Sequence, residues 1–452
     1  MKDFLRNLLP NQHPLRLLYH KLVAMAAAIR YGFPANKMLV IAVTGTKGKT
    51  STSNMIHKIF TEAGQKVGLL TTINFMIGED EERNTTNHTT ISPFQLQKKI
   101  REMVDARCGV LVLEVTSHAV IQSRLWGINV DTAVFTNLSQ DHLDYHGTME
   151  LYRNAKGGLF KNLNASPRKP GIAKISVINQ DDPEHEYFNQ IPSDQLFEYG
   201  ILKGSYAARN LQPNAEGTKF LLRIPNGEIE IDLKIPGQMN VYNALAAATV
   251  ATAHKINLNT IKKALESMQP LPGRLEVIEE GQPFTVVVDF AHTEESLRQI
   301  LEMFRSLTKG KLILVFGATG ERDTDKRPKM GSVAHQYADQ IILTNDDPYR
   351  EDPLIIAEMI RGGVPRAEGQ GFWQVLDRRE AIRLGLSMAQ TMEDTVIIAG
   401  KGAEAFQLVG KQRIPHDDRT VVREYLAKAV DIEVPSGSAA EASRGECLRP
   451  KR

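Results

Sequence analysis

The residues best suited to chemistry form the loop Thr44–Thr50, whose sequence is TGTKGKT. Apolar residues 39–43 before it predict a buried strand, and the residues from Lys49 onward predict a helix. Such a turn points backbone N–H groups at a phosphate, Lys49 adds a positive charge, and the Thr50 hydroxyl can bind Mg²⁺. The pattern predicts a nucleoside triphosphate site. A ligand-free polar turn is the alternative, because Val43 replaces the first glycine of the general pattern.

Two more predicted strands end in polar residues. Glu114 follows the apolar run Gly109–Leu113, and the strand Thr132–Phe135 leads into the Asp- and His-rich segment 136–147. In an open parallel sheet, ligands gather outside the carboxyl ends of the strands. We therefore predict metal or substrate chemistry at this edge, with a solvated loop of capping Asp residues as the alternative. Lys156, on the next predicted helix, would by itself be a surface lysine.

The elements that must position these residues alternate between strand and helix, which predicts an α/β fold. In the first part of the chain the predicted strands are 39–43, 67–70, 109–113, 132–135, 175–178 and 219–224. The predicted helices there are 51–63, 94–106, 149–159 and 237–254, and residues 78–88 are predicted to form a polar loop. Later, strands 285–289, 312–316, 340–344 and 395–399 alternate with helices 296–306, 331–336, 353–361 and 378–388. Asn226-Gly227 predicts a hairpin turn.

The chain length of 452 residues predicts more than one domain. The segment Met268–Arg274 contains two prolines and a glycine between periodic segments, so we place a domain boundary there. The predicted units are a short helical segment 1–37, a central domain 38–270, a C-terminal domain 271–433 and a disordered tail 434–452. The N-terminal helices are expected to pack on the central domain, with a membrane surface as the alternative.

Composition excludes several classes of protein. The net charge is +2, from 55 basic and 53 acidic residues, so the overall charge gives no reason to expect nucleic acid or an anionic membrane as partner. Two cysteines exclude a disulfide framework and a cysteine-rich metal site. The apolar stretch Leu22–Ile29 is too short to span a bilayer, and no signal-peptide cleavage pattern follows it. A cytoplasmic protein is expected.

The order of motifs along the chain resembles the Mur ligase family, and most of all its MurE branch. The motifs are TGTKGKT (44–50), EVTSH (114–118), TNLSQDHLDYHGTMELYRNAK (136–156), NVYNALAA (240–247), PGRLE (272–276), VDFAHT (288–293), GATGERDTDKRPKM (317–330) and GKGAE (400–404). The resemblance implies a central P-loop parallel-sheet ATPase domain followed by a smaller Rossmann-like α/β domain. It also implies that ATP phosphorylates a carboxylate and that an amine then displaces the phosphate to give an amide, with Mg²⁺ balancing the charge.

The resemblance also implies roles for individual residues. Nucleotide-binding residues would be Gly45, Thr46, Lys47, Gly48, Lys49, Thr50, Ser51, Asn240, Asn243, Arg274, Asp289 and His292. Metal ligands would be Thr50, Glu114, His142 and Lys156, the lysine as a carbamate. Catalytic residues would be Lys49, Glu114, His142, Lys156, Arg322 and Lys326. Residues binding a small-molecule or peptidyl substrate and an amino acid would be Thr89, Thr90, Ser117, His146, Asp346, Asp347, Tyr349, Arg350 and Glu404.

Three features depart from the MurE pattern. MurE enzymes have an N-terminal domain that holds UDP, whereas 43 residues precede Thr44, so a different substrate handle is expected. The acceptor motif Asp-Asn-Pro-Arg corresponds to Asp346–Tyr349, DDPY, and a tyrosine cannot reproduce the bidentate contact of arginine with a carboxylate. Arg350 is the one nearby residue that could compensate. Ala403 replaces the histidine of GKGHE.

Several functions remain open at this stage. A Mur-type ligase acting on a muramyl-peptide-like carboxylate is the leading hypothesis. Folylpolyglutamate synthases and cyanophycin synthetases resemble it in their short N-termini, so another amino-acid ligase is an alternative. A non-catalytic ATP-binding partner subunit and a plain ATPase or kinase are the others. The retained Lys49 and Lys156 favour catalysis, because a purely structural relative has no physical need for them.

Overall fold

The computed structural model describes residues 12–86, 88–214 and 216–433. The helices are α1 (Pro14–Tyr31), α2 (Lys49–Glu62), α3 (Pro93–Asp105), α4 (Ser117–Ile121), α5 (Leu143–His146), α6 (Met149–Ala165), α7 (His185–Asn189), α8 (Gln238–Ala253), α9 (Leu258–Glu266), α10 (Glu294–Leu307), α11 (Lys326–Tyr337), α12 (Pro353–Arg361), α13 (Arg378–Met388) and α14 (Asp418–Glu433), with a 3₁₀ turn at Pro34–Lys37. The predicted disordered tail and the start of the predicted N-terminal helices lie outside the described residues.

The first sheet contains eleven strands. They are β1 (Leu39–Thr44), β2 (Val67–Leu70), β3 (Asn74–Ile77), β4 (Asp80–Arg83), β5 (Val110–Glu114), β6 (Thr132–Phe135), β7 (Ile175–Asn179), β8 (Gln195–Gly200), β9 (Tyr206–Pro213), β10 (Thr218–Ile224) and β11 (Gly227–Leu233). Their order is β11-β10-β9-β8-β7-β6-β1-β5-β2-β3-β4. β1 lies between β5 and β6 and is parallel to both, so the carboxyl ends of these three strands meet at one edge.

Helices cover both faces of the parallel part of this sheet. Strand residues such as Ile41 and Val43 point to one side, where they pack with α2, α8 and α9. Val40 and Ala42 point to the other side, in a core that includes residues of α3 and α6. Burial on both faces explains why β1 is a continuous apolar run without alternation. The first turn of α2 therefore starts from a strand that is held rigidly at the centre of the sheet.

The C-terminal part forms a second α/β layer. Its six strands are β12 (Glu276–Val277), β13 (Thr285–Asp289), β14 (Leu312–Phe316), β15 (Gln340–Leu343), β16 (Phe372–Gln374) and β17 (Thr395–Ala399), in the order β12-β13-β17-β14-β15-β16. A separate hairpin joins β18 (Phe406–Val409) to β19 (Gln412–Pro415). All neighbouring pairs from β13 to β16 are parallel. The predicted boundary segment 268–274 lies between α9 and β12, where the first sheet's elements end.

The predicted α/β class and two-sheet architecture are confirmed, and most predicted strands match within a residue or two. The prediction of a polar loop over residues 78–88 is wrong in part, because Asp80–Arg83 is an antiparallel edge strand paired with Asn74–Ile77. This strand is exposed along its whole length, so its sequence, DEER, carries no buried face to signal a strand. The hairpin at Asn226-Gly227 is present between β10 and β11.

Helix α1 packs against α3 through Ala24, Ala27 and Ala28, as expected for an N-terminal segment attached to the central domain. Ala28 also lies against the backbone at Gly127. A Cβ added to Gly127 would lie 2.7 Å from the Cβ of Ala28. In the described part of the chain, no helix combines the length and apolar character needed to cross a membrane.

Candidate active site

The phosphate-binding loop connects the end of β1 to the start of α2. Gly45 and Gly48 have φ values of 151° and 78°, a region that favours glycine. A Cβ at Gly45 would lie 1.9 Å from Thr136 Oγ1, and one at Gly48 would lie 2.2 Å from Asn243 Oδ1. The loop is anchored to the end of β6, because Thr46 N–H donates to the Asn137 carbonyl at 2.8 Å. Both glycines are therefore required sterically.

A carboxylate stands beside the start of α2. Thr50 Oγ1 donates to Glu114 Oε2 at 3.0 Å, and Ser51 follows in the same helical turn. The Glu114 carboxylate also accepts from the backbone N–H of Thr72 at 2.8 Å and from the Thr72 hydroxyl at 3.0 Å. Thr89 lies next to this group, since its hydroxyl oxygen is 2.9 Å from Thr72 Oγ1. Oxygen atoms of this kind suit Mg²⁺, so the pair Thr50 and Glu114 fits a metal role.

Two lysine amines face the loop, of which Lys156 is buried and Lys49 is half-buried. Lys156 Nζ, on α6, donates to the Gly45 carbonyl at 2.6 Å, and Lys49 Nζ donates to the Thr46 carbonyl at 2.8 Å. Burial lowers the pKa of Lys156 well below its usual value, and the nearby charge of Lys49 lowers it further. Burial also lowers the pKa of Lys49, although Glu114 opposes the shift. Lys156 is thus a buried amine of the site and not a surface lysine.

The polar segment after β6 packs its rings around α4 and α5. His142 begins α5 with a φ of 55°, which is uncommon for a residue with a side chain. Ser117 Oγ and His146 Nε2 are 2.9 Å apart, and Thr90 Oγ1 donates to the Glu114 carbonyl at 3.0 Å. Burial, with the neighbouring His142, lowers the pKa of His146 to about 4. The predicted residues Thr90, Ser117, His142 and His146 therefore lie around the strand ends.

Asp141 is the acidic centre of the space between the two sheets. Burial would raise the pKa of its carboxyl, but His142 and Lys47, among other cations, hold this pKa well below its usual range. Lys47 Nζ donates to Thr293 Oγ1 at 2.9 Å, which ties the loop to the start of α10. Burial lowers the pKa of Lys47 to about 8. A cation from the first sheet and a helix start from the second therefore share one cleft.

A cavity of about 520 Å³ opens beside the loop. Residues of both sheets line it, among them Lys47, Asn137, Asn243, Thr293 and Lys326. Its volume lies within the range of cofactor sites, and it meets the phosphate-binding turn at Lys47, so a nucleoside triphosphate fits here.

A second cavity of about 190 Å³ lies against the end of the second sheet. It shares Asp141, Asp323 and Lys326 with the larger cavity, so the two spaces are adjacent. The other predicted residues that line it are His142, His292, Arg322, Asp346, Asp347, Tyr349 and Glu404.

Lys401 neutralises part of the acidic wall of the second cavity. Its Nζ is 2.8 Å from Asp347 Oδ1, 2.8 Å from Glu404 Oε2 and 3.8 Å from Asp346 Oδ1. Burial raises the pKa of Glu404 to about 7, while Lys401 opposes the shift. Three carboxylates against one ammonium leave this wall acidic when all are ionised. The Arg322 guanidinium, which also lines this cavity, lies 5.9 Å from the centre of the Tyr349 ring.

Other predicted site residues lie near the cleft but line neither of these cavities. Asn240 receives a hydrogen bond from Asn243 at 3.1 Å, so it orients that residue. The Asp289 carboxylate accepts from Leu275 N–H at 2.8 Å, and Arg274 stacks 4.4 Å above Phe290. Arg350 is exposed, and its side chain lies outside the set that lines the second cavity. Whether Arg350 compensates for the missing arginine stays a prediction.

Lys326 and His292 adjoin each other at the junction of the cavities. Lys326 Nζ donates to the His292 carbonyl at 2.9 Å, and His292 Nδ1 is 2.8 Å from the Phe290 carbonyl oxygen. Burial lowers the pKa of both side chains, and for His292 the charge of Lys47 adds to the effect. The predicted position of Lys326, reaching toward the cleft from the second sheet, agrees with this arrangement.

Four residues at the site were not singled out in the sequence. Asn137 holds Lys47 N–H at 2.9 Å, and Tyr152 lies with its ring centre 4.3 Å from Lys156 Nζ. Thr72 binds Glu114, and Lys401 binds the acidic wall. The sequence contained a signal for Lys401, which lies between two glycines in the motif GKGAE. Thr72 had none, because the parallel pairing of β2 with β5 brings it to Glu114 from a position remote in sequence.

A parallel α/β domain with a phosphate-binding loop, facing a second α/β domain across a two-part cleft, defines a nucleotide-dependent ligase-type enzyme. The family descriptions "Mur ligase middle domain" and "Mur ligase, glutamate ligase domain" match residues 43–251 and 273–402. The chain is 42% identical over 406 residues to the UDP-N-acetylmuramoyl-L-alanyl-D-glutamate--2,6-diaminopimelate ligase of Geobacillus kaustophilus, covering 89% of this chain and 81% of that relative. The chain belongs to the Mur ligase family.

Further relatives agree with this assignment. The enzyme of the same description from Bacillus cereus is 39% identical over 413 residues, covering 91% of this chain and 82% of the relative. A solved structure of such a ligase matches at 32% identity with a TM-score of 0.61, covering 87% and 79% of the two chains. A folylpolyglutamate synthase of Mycobacterium tuberculosis, complexed with ADP, shares the fold at 17% identity with a TM-score of 0.69, covering 92% and 94%. Enzymes of this family are ATP-dependent ligases that form amide bonds, so the predicted class is confirmed.

Proposed function

We propose that this enzyme joins an amino acid to a carboxylate of a muramyl peptide, in an ATP-dependent reaction of peptidoglycan precursor synthesis. The observation that carries the proposal is the adjacency of the two cavities at Asp141, Asp323 and Lys326, with the loop at one end and the acidic wall at the other. The names of the diaminopimelate-adding relatives support the muramyl-peptide donor. Because the reaction consumes ATP, we place it in the cytoplasm.

The larger cavity holds the nucleotide in this proposal. The backbone of Gly45–Lys49 would surround the phosphates, and Lys47 and Lys49 would supply positive charge. Asn243, held by Asn240, lies where the helix start of α8 reaches the same cavity. No contact of this kind needs a large rearrangement, because the loop is already anchored by Asn137.

The oxygen atoms of Thr50 and Glu114 would hold one Mg²⁺, and His142 with a carbamate on Lys156 would hold a second. Bound there, the ions would balance negative charge on the phosphates. The protein's own part is to keep Lys156 buried and neutral, since the free pair of electrons on a neutral amine is what reacts with CO₂. The buried position of Lys156 and its lowered pKa support this role. A bare ammonium at the same place would repel a cation.

The reaction balances in two steps. A donor carboxylate oxygen attacks the γ-phosphorus, and ADP leaves with the electrons of the broken P–O bond. The acceptor amine then attacks the carbonyl carbon, phosphate leaves, and one proton is lost from nitrogen. Lys326, which lines both cavities, would steady the anionic oxygens between them, and closure of the second domain would exclude water.

The amine acceptor is proposed to be an amino acid with one carboxylate and a cationic side chain, such as lysine or ornithine. Arg322 forms no ion pair with a carboxylate among residues 12–86, 88–214 and 216–433, so it can receive the acceptor's carboxylate. The acidic wall of Asp346, Asp347 and Glu404 would receive the cation. A second carboxylate, as in diaminopimelate, would meet Tyr349 and the extra acid Asp347 in place of an arginine and an amide.

The test is phosphate release and product mass with purified enzyme, ATP and Mg²⁺. Donors would be UDP-linked and UDP-free muramyl dipeptides, and acceptors would be lysine, ornithine, diaminopimelate, alanine and glutamate. Amide formation with lysine or ornithine at least about tenfold faster than with diaminopimelate would support both proposals. Amide formation with diaminopimelate as the preferred acceptor would refute only the acceptor assignment. Phosphate release that needs no amine would refute ligation.

A further inference from the structure

Helix α1 has two apolar faces, and one of them faces outward. Ala24, Ala27 and Ala28 form the buried face. On the opposite side Leu15, Leu18, Leu22 and Ile29 have exposed fractions of 60%, 52%, 54% and 64%. We call these four residues the outer stripe. An apolar helix face is normally covered, yet the described residues leave more than half of each outer-stripe side chain exposed.

The spacing of the outer stripe forms a single line along the helix. Steps of three, four and seven residues place the four side chains above one another. At 1.5 Å per residue, the line from Leu15 to Ile29 is about 21 Å long. The described residues include 13 large apolar side chains that are exposed, and four of them belong to this one helix. Single exposed apolar residues are normal, whereas an extended line of them marks a contact surface.

The charge around the outer stripe is positive. Helix α1 contains Arg16, Lys21 and Arg30 and neither Asp nor Glu, although the whole chain has a net charge of only +2. Lys21 and Arg30, which adjoin Leu22 and Ile29 in sequence, are exposed. A second copy of the helix would bring the same positive charge against it, which disfavours self-association. Nucleic acid would match the charge but not the apolar line.

We propose that the outer stripe of α1 docks on the surface of a membrane that contains anionic lipids. Leucine and isoleucine side chains would enter the boundary between headgroups and acyl chains, and the flanking basic residues would bind the headgroup phosphates. The overall charge of the chain gave no reason to expect such a partner, because acidic residues further along the chain offset this basic region. The helix lies on the bilayer and does not cross it.

Docking would also orient the active site. Gln12, just before α1, donates from Nε2 to the Tyr145 carbonyl at 2.7 Å, and Tyr145 belongs to α5 between His142 and His146. The start of the outer stripe therefore lies close to the histidine-rich side of the cleft. A membrane contact along α1 would hold that side of the enzyme near the lipid surface.

The test uses the full-length protein and sedimentation with extruded vesicles. One set contains phosphatidylcholine with phosphatidylglycerol, and the other contains phosphatidylcholine alone. We expect binding to the anionic vesicles, weakened at about 0.5 M salt by screening. The double variant Leu18→Ser/Leu22→Ser should weaken binding at least about tenfold, because it removes two apolar side chains that would become buried in the bilayer on docking.

The matched control is Leu202→Ser/Met392→Ser, at two exposed apolar residues outside α1. This control variant should bind vesicles as strongly as the unmodified protein. Both double variants should have the melting temperature of the unmodified protein, because all four substituted positions are exposed. Absence of binding to anionic vesicles, or equal loss in the control, would overturn the proposal. So would a dimer in light scattering that Leu18→Ser/Leu22→Ser converts to monomer, since the occupant would then be a second copy.

Discussion

The two cavities of the cleft differ in how far they keep the pattern of the family. The larger cavity meets the phosphate-binding loop at Lys47, and the loop residues Gly45, Gly48, Lys49 and Thr50 match the Mur ligase motif. The smaller cavity is lined by Asp347 and Tyr349, where the diaminopimelate-adding pattern has asparagine and arginine. In the proposed function, the shared end of the cleft supports the ATP-dependent reaction and the divergent end selects the amine.

The physical demands at the two ends explain this difference. Every ATP presents the same phosphates, so a loop with sterically required glycines leaves little freedom. The amine end is a wall of side chains, and each exchange there changes charge without moving the backbone. Lys401 remains at the centre of the wall, buried between Asp347 and Glu404. Identity to diaminopimelate ligases therefore predicts the reaction better than it predicts the acceptor.

The largest expected effect is at the shared end. Lys156→Ala should lower amide formation about a thousandfold, because it removes the group proposed to hold a metal. The matched control is Lys161→Ala, on the same helix but exposed, which should leave activity unchanged. Activity would be measured as product mass against time.

A second measurement separates the carbamate from a simple packing role of Lys156. With ¹³C-labelled bicarbonate, the NMR spectrum of the unmodified enzyme should contain a carbamate signal that Lys156→Ala lacks. Lys161→Ala should retain the signal. A Lys156→Ala enzyme with activity within about tenfold of the original would contradict the assignment.

The next effect concerns the divergent end. The double variant Asp347→Asn/Tyr349→Arg should raise kcat/KM for diaminopimelate relative to lysine about a hundredfold, because an arginine can bind the second carboxylate with two hydrogen bonds. Arg350→Ala serves as control, since that exposed side chain lies outside the second cavity. If the double variant left the ratio of kcat/KM for diaminopimelate to that for lysine unchanged and Arg350→Ala lowered this ratio, Arg350 would be the residue that binds the acceptor's second carboxylate.

A smaller effect is expected from Lys47, which lies between the two ends. Its ammonium is charged below its pKa of about 8, so nucleotide binding should weaken as the pH rises through that value. Lys47→Met should weaken ATP binding about tenfold at neutral pH and flatten this pH dependence. Isothermal titration at one pH unit below and above the pKa would measure both. An unchanged pH dependence in Lys47→Met would assign the effect to another cation, such as Lys326.

The larger and the smaller cavity also differ in how much of each could be predicted from the sequence. The strands β1, β5 and β6 were predictable because their apolar runs are buried on both faces, and their ends located Glu114 and the segment 136–147. The roles of single residues in the smaller cavity could be assigned only through a family resemblance, since a DDPY segment has no periodicity. The exposed strand Asp80–Arg83 and the contact of Thr72 with Glu114 depend on tertiary pairing, which no local pattern contains.

The smallest expected effect comes from that exposed strand. The Arg83 guanidinium donates to the Ala403 carbonyl and lies 3.4 Å from Asp417, so the β3-β4 hairpin contacts the loop that carries Lys401 and Glu404. Exposed charged contacts contribute little, so Arg83→Ala should raise the acceptor KM only about twofold and leave the nucleotide KM unchanged. Lys99→Ala is the matched control, because Lys99 pairs with Glu82 of the same hairpin within the first domain. Equal changes in both KM values would show that the hairpin positions the whole second domain and not the acceptor loop alone.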